Sequence, residues 1–421
     1  RSFPLQIELA TRRMSKFWRS GSSSSSDEDN DASDSFASTD EDDDGGFDDD
    51  NHSSDDDDDD PNKLPKGVMD PNEAWEKMKA TQQFLPIPQT VSTARTKDST
   101  RIVCMSDTHG QHNEVVLPPG DILLHCGDFT KSGEIGTMKN LNEYFESADF
   151  DEVICIAGNH DMTLHPEFYE ANWQEFHRAK FDVSEAARAL TACTYLQDSE
   201  CTTATGSLRM YGTPWSPAFY NWAFNLHRGP EIRSYWEKIP DPTDILLVHG
   251  PPLGRGDYTS SKVRAGCQDL LEEIQDRIKP RLVVFGHVHE GAGVSFDGAT
   301  VYTNASSLDR SYRTSHFPIV FDVPHDTAKP VLLVEPNCTM DFHDFTVWLE
   351  QHGYDDLLVG YSTMNDDDDD AVTENVRIVG NDLFKRSNFH DILAKLQIPY
   401  PTRAHMKRTH RALAELYAES F

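Results

Sequence analysis

The chain has 421 residues, and 72 acidic against 38 basic side chains leave a formal net charge of −34. Duplex nucleic acid is a poor fit to such a balance, since gripping it needs clustered Lys and Arg; no run of 18 apolar residues offers a membrane span. Seven cysteines without a CxxC pair fit neither a disulfide scaffold nor a structural zinc site, and point to a reducing intracellular compartment, the cytoplasm first.

Residues 1–19 carry five basic side chains and the pair Phe17-Trp18. They read as a disordered basic end, with an acid-poor transit peptide as the alternative. Arg1 in place of Met suits a fragment or a processed chain. From Ser20 to Pro61 there are 19 Asp and Glu and no Lys or Arg, over half of the net charge. Like charges this dense repel, and almost nothing apolar is available to bury, so residues 1–60 are expected to be disordered. Ser25 stands three residues before Glu28, and Ser54 three before Asp57. Both resemble substrates of an acid-directed kinase, whose phosphates would deepen the negative field. A solubilising tail without specific partners is the alternative. Residues 61–98, with prolines at 61, 65, 71, 86 and 88, read as a linker.

Order is expected from about Arg101. Short runs rich in Val and Ile recur at 102–105, 121–126, 153–157, 208–211, 245–248 and 282–285, the length of buried strands. Helical stripes lie among them. Ile135, Met138, Leu141 and Phe145 form one; Cys267, Leu270, Leu271, Ile274 and Ile278 form another, stopped by Lys279-Pro280. Strand-like pieces at 300–303 and 319–323 follow without helices between them. The pattern is that of an α/β layered fold; periodicity does not say whether it has one sheet or two. Residues 326–421 form a C-terminal extension in which Phe345, Trp348 and Leu349 share a helix face. Residues 404–417 have helical composition, and Asp366 to Asp370 make a solvated loop between the two.

Chemistry gathers at the strand ends. In order the chain places Asp107-Thr108-His109, Gly127-Asp128, Gly158-Asn159-His160-Asp161, His249-Gly250 and Gly286-His287-Val288-His289. Each follows an apolar run, so all five project from C-terminal strand edges, where α/β sheets build their sites. Oxygen and imidazole donors without thiolate suit Mn, Fe or Zn. If the strands continue extended, Asp107 and His109, like His287 and His289, face one side. A lone DxH or GNHD means little, because a strand-end His is usually a hydrogen-bonded structural residue. Five clusters in this order are another matter, since converging His and Asp donors need a reason to face one another.

This series resembles the calcineurin-like metallophosphoesterases, whose signature runs D-x-H, G-D, G-N-H-[DE], H and G-H-x-H. All five elements are present between Asp107 and His289, and the resemblance covers roughly residues 100–325. The wording is most similar to the metallophosphoesterase-domain-containing group, in the stretches GDILLH (120–125), YLQDSE (195–200), YGTPW (211–215), DILLVHGPPLG (244–254) and YTNAS (302–306). The resemblance implies a four-layer α/β/β/α sandwich over residues 99–325 holding two divalent metal ions. It assigns Asp107, His109 and His289 to one metal, and Asn159, His249 and His287 to the other, with Asp128 bridging. His160 would stand beside the substrate phosphate as the catalytic residue. Two such ions ~3.5–4 Å apart clamp the attacking and leaving oxygens of a phosphoryl displacement. The Ser/Thr phosphatase branch carries GDxxDRG, whose second Asp orients the catalytic His. Here Lys131 stands in that place, which argues against protein phosphatase activity. Some members of the most similar group replace the first His of GHxH with Gly. This chain keeps His287, as an active enzyme requires.

The expected function is therefore a dinuclear metal-dependent phosphoesterase acting on small phosphate esters, first of all diesters such as cyclic nucleotides. The alternatives are a small-molecule phosphomonoesterase and a non-catalytic scaffold on the same fold. Other residues have plainer readings. His125 reads as core or as support for the ligands, and His112, His165 and His227 as ordinary hydrogen-bonded or surface residues. Trp215, Trp222 and Phe224 read as core, with stacking on a nucleobase as the alternative. Asn304 is a candidate support for the ligands. Cys104, Cys126 and Cys155 read as small buried hydrophobes.

Overall fold

The computed structural model describes residues 63–87, 89–90, 96–336, 339–340, 342–358, 378–379, 392–393, 396 and 403–421. The expected disordered tail, residues 1–60, and the loop Asp366 to Asp370 lie outside them. The chain runs α1 (Pro71–Met78), β1 (Gln89–Thr90), β2 (Ser99–Met105), β3 (Ile122–Cys126), α2 (Ile135–Ser147), β4 (Glu152–Ile156), α3 (Pro166–Phe176) and α4 (Val183–Ala189). Then come β5 (Thr194–Tyr195), β6 (Ser199–Thr202), β7 (Arg209–Thr213), the short pair β8 (Ser216–Pro217) and β9 (Asn225–Leu226), and α5 (Pro230–Trp236). The second half holds β10 (Ile245–Val248), α6 (Gln268–Glu273), β11 (Leu282–Phe285), β12 (Gly293–Phe296), β13 (Val301–Asn304), β14 (Ile319–Pro324) and β15 (Leu332–Val334). Helices α7 (Phe342–Gln351) and α8 (Arg403–Glu419) close it.

Among the described residues two large sheets form. One is seven-stranded, in the order β1-β15-β14-β2-β3-β4-β5; the other is six-stranded, β12-β13-β11-β10-β7-β6. β2, β3 and β4 run parallel, as do β7, β10, β11 and β13. Side-chain alternation makes the layers. Ile102, Cys104, Ile122, Leu124 and Ile154 meet Met210, Ile245, Leu247, Leu282 and Val284 in a core between the sheets. The intervening residues face outward to helices: Val103, Leu123 and Val153 share a cluster with Met138, Leu141 and Phe145. On the other sheet Leu246, Val248 and Val283 belong with Leu270, Leu271 and Ile274. Strands covered on both faces must be apolar throughout, which is why their runs show no polar alternation. The result is the four-layer α/β/β/α arrangement.

Three boundaries differ from the sequence expectation. Residues 61–98 are more than a linker, since Asp70 caps α1 through Asn72 N (2.8 Å) and Glu73 N (3.3 Å), with Pro71 opening the helix. Ala74 and Trp75 of α1 are buried in the main core. Eight residues with one large apolar face are too short a signal to stand out among prolines. At the other end, β15 pairs with β14, so the sheet continues past residue 325. Within the expected second stripe, α6 passes into a π-helical turn over Ile274–Ile278, ended by Lys279 at φ +50°.

The C-terminal helices share their own core. Phe345, Trp348 and Leu349 pack with Leu413 and Leu416, and Tyr417 Oη donates to Pro318 O at 2.8 Å. Among the described residues no helix is long and apolar enough to cross a membrane.

Candidate metal centre

All five clusters lie where expected, directly after β2, β3, β4, β10 and β11. These strands come from both sheets, so the site bridges the C-terminal edges of the sandwich. Extension of the strands is not what gathers the ligands, however. Asp107, His109, Asp128 and His287 have φ of +52°, +41°, +54° and +68°. The chain therefore turns left-handed as it leaves β2, β3 and β11, and the first of these turns brings Asp107 and His109 to one side. Left-handed non-glycine residues are sparse and cost of order 1–3 kcal/mol each, and such strain collects at functional sites. Gly158 and Gly286 allow the close packing that follows. A Cβ on Gly158 would overlap Asp128 Oδ1, and one on Gly286 would overlap Asp107 Oδ2 and Ser106 Oγ.

Three groups of donors converge, each within 4.8 Å: Asp107, His109 and His289; His109, Asp128 and His160; and Asp128, His249 and His287. Asp128 belongs to two of them. Its Oδ1 accepts the His160 backbone N–H at 2.8 Å, while Oδ2 faces His249 Nε2 at 3.4 Å and His109 Nε2 at 3.9 Å. Asn159 Oδ1 lies 3.0 Å from His249 Nε2 and 2.8 Å from His287 Nδ1. Every residue expected to bind metal is thus brought into one cluster. His160 is half-buried beside it, with Nδ1 donating to the Lys131 carbonyl.

The donor set can be tested against a cation. A neutral imidazole has one N–H, and the second nitrogen then presents a lone pair. His109 Nδ1 is used on Thr130 O (3.2 Å), His249 Nδ1 on Cys126 O (2.8 Å) and His289 Nδ1 on Asp309 O (3.1 Å). Their Nε2 atoms consequently aim lone pairs at other acceptors. His109 Nε2 and His289 Nε2 stand 3.2 Å apart, and His289 Nε2 is 3.6 Å from Asp107 Oδ1. Opposed acceptors this close need a cation between them, either a shared proton or a metal ion, and the N and O donors suit a divalent transition metal. Charge points the same way. Burial works against ionised Asp107 and Asp128, yet neighbouring imidazoles hold both carboxyls below their usual range. Burial likewise opposes charge on His249 and His289, but Asp128 and Asp107 respectively push these imidazoles up to about 9. Burial holds His109 down to about 3 and His287 down to about 4. The carboxylates draw positive charge into the cluster, and the residues present fit divalent metal ions.

Several supporting residues carried weak sequence signals. Asn304, a candidate from its place after β13, donates through Nδ2 to Val288 O (2.8 Å) and Gly256 O (3.2 Å). Its Oδ1 accepts from Ser306 Oγ at 2.8 Å, and Ser306 Oγ also lies 2.8 Å from Asp107 Oδ2. Asp161, the last residue of GNHD, ties two loops together by accepting from Gly158 N (2.9 Å) and Thr130 N (2.9 Å). Sequence reasoning gave neither Ser306 nor Asp161 a role; their place within quoted motifs was the only hint. Tyr312 was missed outright. Its ring packs edge-on to His109 and His289.

The other histidines follow their plain readings. His125 is buried, meets Thr108 Oγ1 at 3.0 Å and is pushed down to about 3 by burial. His112 pairs with Asn140 Oδ1 (2.7 Å), His165 stacks on Phe224, and His227 is exposed. Trp215 and Phe224 are core residues, whereas half-buried Trp222 lies against His160, ring centroids 4.1 Å apart.

The sequence profile of the family described as calcineurin-like phosphoesterase matches residues 100–291. Human Metallophosphoesterase domain-containing protein 1 is 45% identical over 234 residues, which cover 53% of this chain and 71% of that protein. A UPF0046 protein of Caenorhabditis elegans is 35% identical over 267 residues, 62% of this chain and 94% of its own. A 3',5'-cyclic-nucleotide phosphodiesterase of Nostoc is 22% identical over 186 residues, 42% of this chain and 59% of its own. With the motif order, the two-sheet sandwich and the convergent donors, these similarities place the chain in the calcineurin-like phosphoesterase family.

Proposed function

We propose that the chain hydrolyses phosphodiesters, cyclic nucleotides among them, at two divalent metal ions. Asp107, His109 and His289 would hold the first, Asn159, His249 and His287 the second, and Asp128 would be shared. The observation that carries this reading is the set of opposed lone pairs around a carboxylate common to two donor groups. Bound divalent ions supply an activated water and polarise the phosphoryl oxygens.

The protein's own groups do the rest. Asp128 Oδ1 is pinned by the His160 N–H, which leaves Oδ2 toward the two histidines on either side. His160, with Nδ1–H on a carbonyl, keeps Nε2 for the substrate, where the protonated ring stabilises charge or gives a proton to the leaving oxygen. The name of the Nostoc relative favours a diester over a monoester.

A panel of phosphate esters assayed with added Mn²⁺ tests the reading. Bis(4-nitrophenyl) phosphate, 4-nitrophenyl phosphate and cyclic nucleotides suffice, with bound metal measured in parallel. Diester turnover should exceed monoester turnover. The reverse order would make the chain a phosphomonoesterase, and two bound ions without turnover on any ester would make it a scaffold.

A further inference from the structure

Tyr312 is a large aromatic residue that the core does not explain. It is 50% exposed and belongs to none of the buried clusters. Its ring centroid nevertheless lies 5.0 Å from that of His109 and 5.2 Å from that of His289, near-perpendicular to both. The backbone there is left-handed, at φ +53°, a conformation that disfavours a bulky side chain.

The fold holds it there from both sides. Tyr312 N donates to Asp309 O at 2.8 Å, and Tyr312 O accepts from Gln111 Nε2 at 2.9 Å. Asp309 Oδ1 takes Ser311 N (2.8 Å) and Arg313 N (3.1 Å), while Oδ2 takes the Arg313 guanidinium. The Asp309 carbonyl that bonds Tyr312 N also accepts from His289 Nδ1. One bend thus sets both a donor of the cluster and the aromatic ring over it. Strain maintained by so many bonds at an exposed position points to function rather than packing.

We infer that Tyr312 is a specificity residue, whose ring takes up the organic group of a phosphate ester bound at the cluster and favours aromatic groups over small alkyl ones. The inference rests on the phosphate-ester reading of the site.

Isothermal titration of the full chain loaded with Mn²⁺ tests it without turnover, with phenylphosphonate and methylphosphonate as probes. The wild type should bind the phenyl compound about two- to ten-fold more tightly, the size of one aromatic pair contact. Tyr312→Phe should keep that ratio, while Tyr312→Ala and Tyr312→Leu should bring it near one at unchanged Mn²⁺ content. A wild-type ratio near one, or a ratio that survives Tyr312→Ala, would overturn the assignment of Tyr312 alone. Failure of both phosphonates to bind the loaded wild type would overturn the phosphate-ester reading itself.

Discussion

The imidazole of His160 donates its Nδ1–H to the backbone carbonyl of Lys131 across 2.6 Å. In the GDxxDRG pattern a carboxylate orients the equivalent imidazole; here the main chain does so, and the Lys131 side chain is exposed. A carbonyl fixes the ring's orientation while contributing no full negative charge.

Two substitutions separate these roles. Lys131→Ala keeps the carbonyl and should leave kcat/KM within about two-fold, as surface changes usually do. His160→Ala should lose ~10²–10⁴-fold with alkyl or ribose-type leaving groups, and less with nitrophenyl esters, whose leaving oxygen needs no proton. Equal losses for both ester types would exclude proton donation and leave charge stabilisation. Because His160 also shares a donor group with His109 and Asp128, metal content should be measured alongside. Loss of one equivalent would make His160 a ligand.

Asp128→Asn removes the one carboxylate that, among the described residues, is common to two donor groups. Both metals should weaken together, to well under two equivalents by elemental analysis, and activity should fall by several orders of magnitude. Normal turnover with two bound ions would show that the bridge lies elsewhere.

Asn304→Ala leaves the Ser306 N–H without its buried partner and takes one of two donors from Val288 O, which keeps the Gly291 N–H. Leaving the Ser306 N–H unpaired costs about 1–3 kcal/mol, to be read from denaturant unfolding. The same change frees the loop that carries His287 and His289. Divalent-metal affinity should therefore fall about 10- to 100-fold, the usual effect of removing a group that orients ligands. A destabilised protein with unaltered metal affinity would reduce Asn304 to a folding role.

Truncation has a sharp expected boundary. Removing residues 1–62, an acidic segment with little apolar to add to a core, should change the melting temperature little. Removing residues 1–95 should not be neutral, although a linker over 61–98 would have made it so. It deletes buried Trp75, which lies against the Arg264 guanidinium, and takes Gln82 Oε1 and Gln83 O from the Arg255 guanidinium. Loss of a buried Trp side chain alone costs about 3–5 kcal/mol, a fall of order 10 °C for a domain of this size. Equal melting temperatures for the two truncations would return α1 to linker status.

The inner strands were legible because their identity is local. Runs such as 245–248 and 282–285 are apolar over the length of a strand, and the structure forms both with those bounds. The five clusters were legible because their order along the chain matches their order at the strand ends. Short α1 and three-residue β15 were missed, since their signals are weaker than the prolines and polar residues around them.

By itself, then, the sequence determined which donors exist, Asp107, His109, Asp128, Asn159, His249, His287 and His289, and that each sits just past a strand. Only the tertiary structure decided how they meet. Left-handed turns at four of these residues, and the apposition of two sheets, place His109 Nε2 opposite His289 Nε2, 180 residues away in the chain. Tyr312 shows the limit most clearly. Nothing in its local sequence distinguishes it from a surface tyrosine, because its role comes from a bend whose carbonyl also holds His289, a relationship between distant segments that periodicity does not encode.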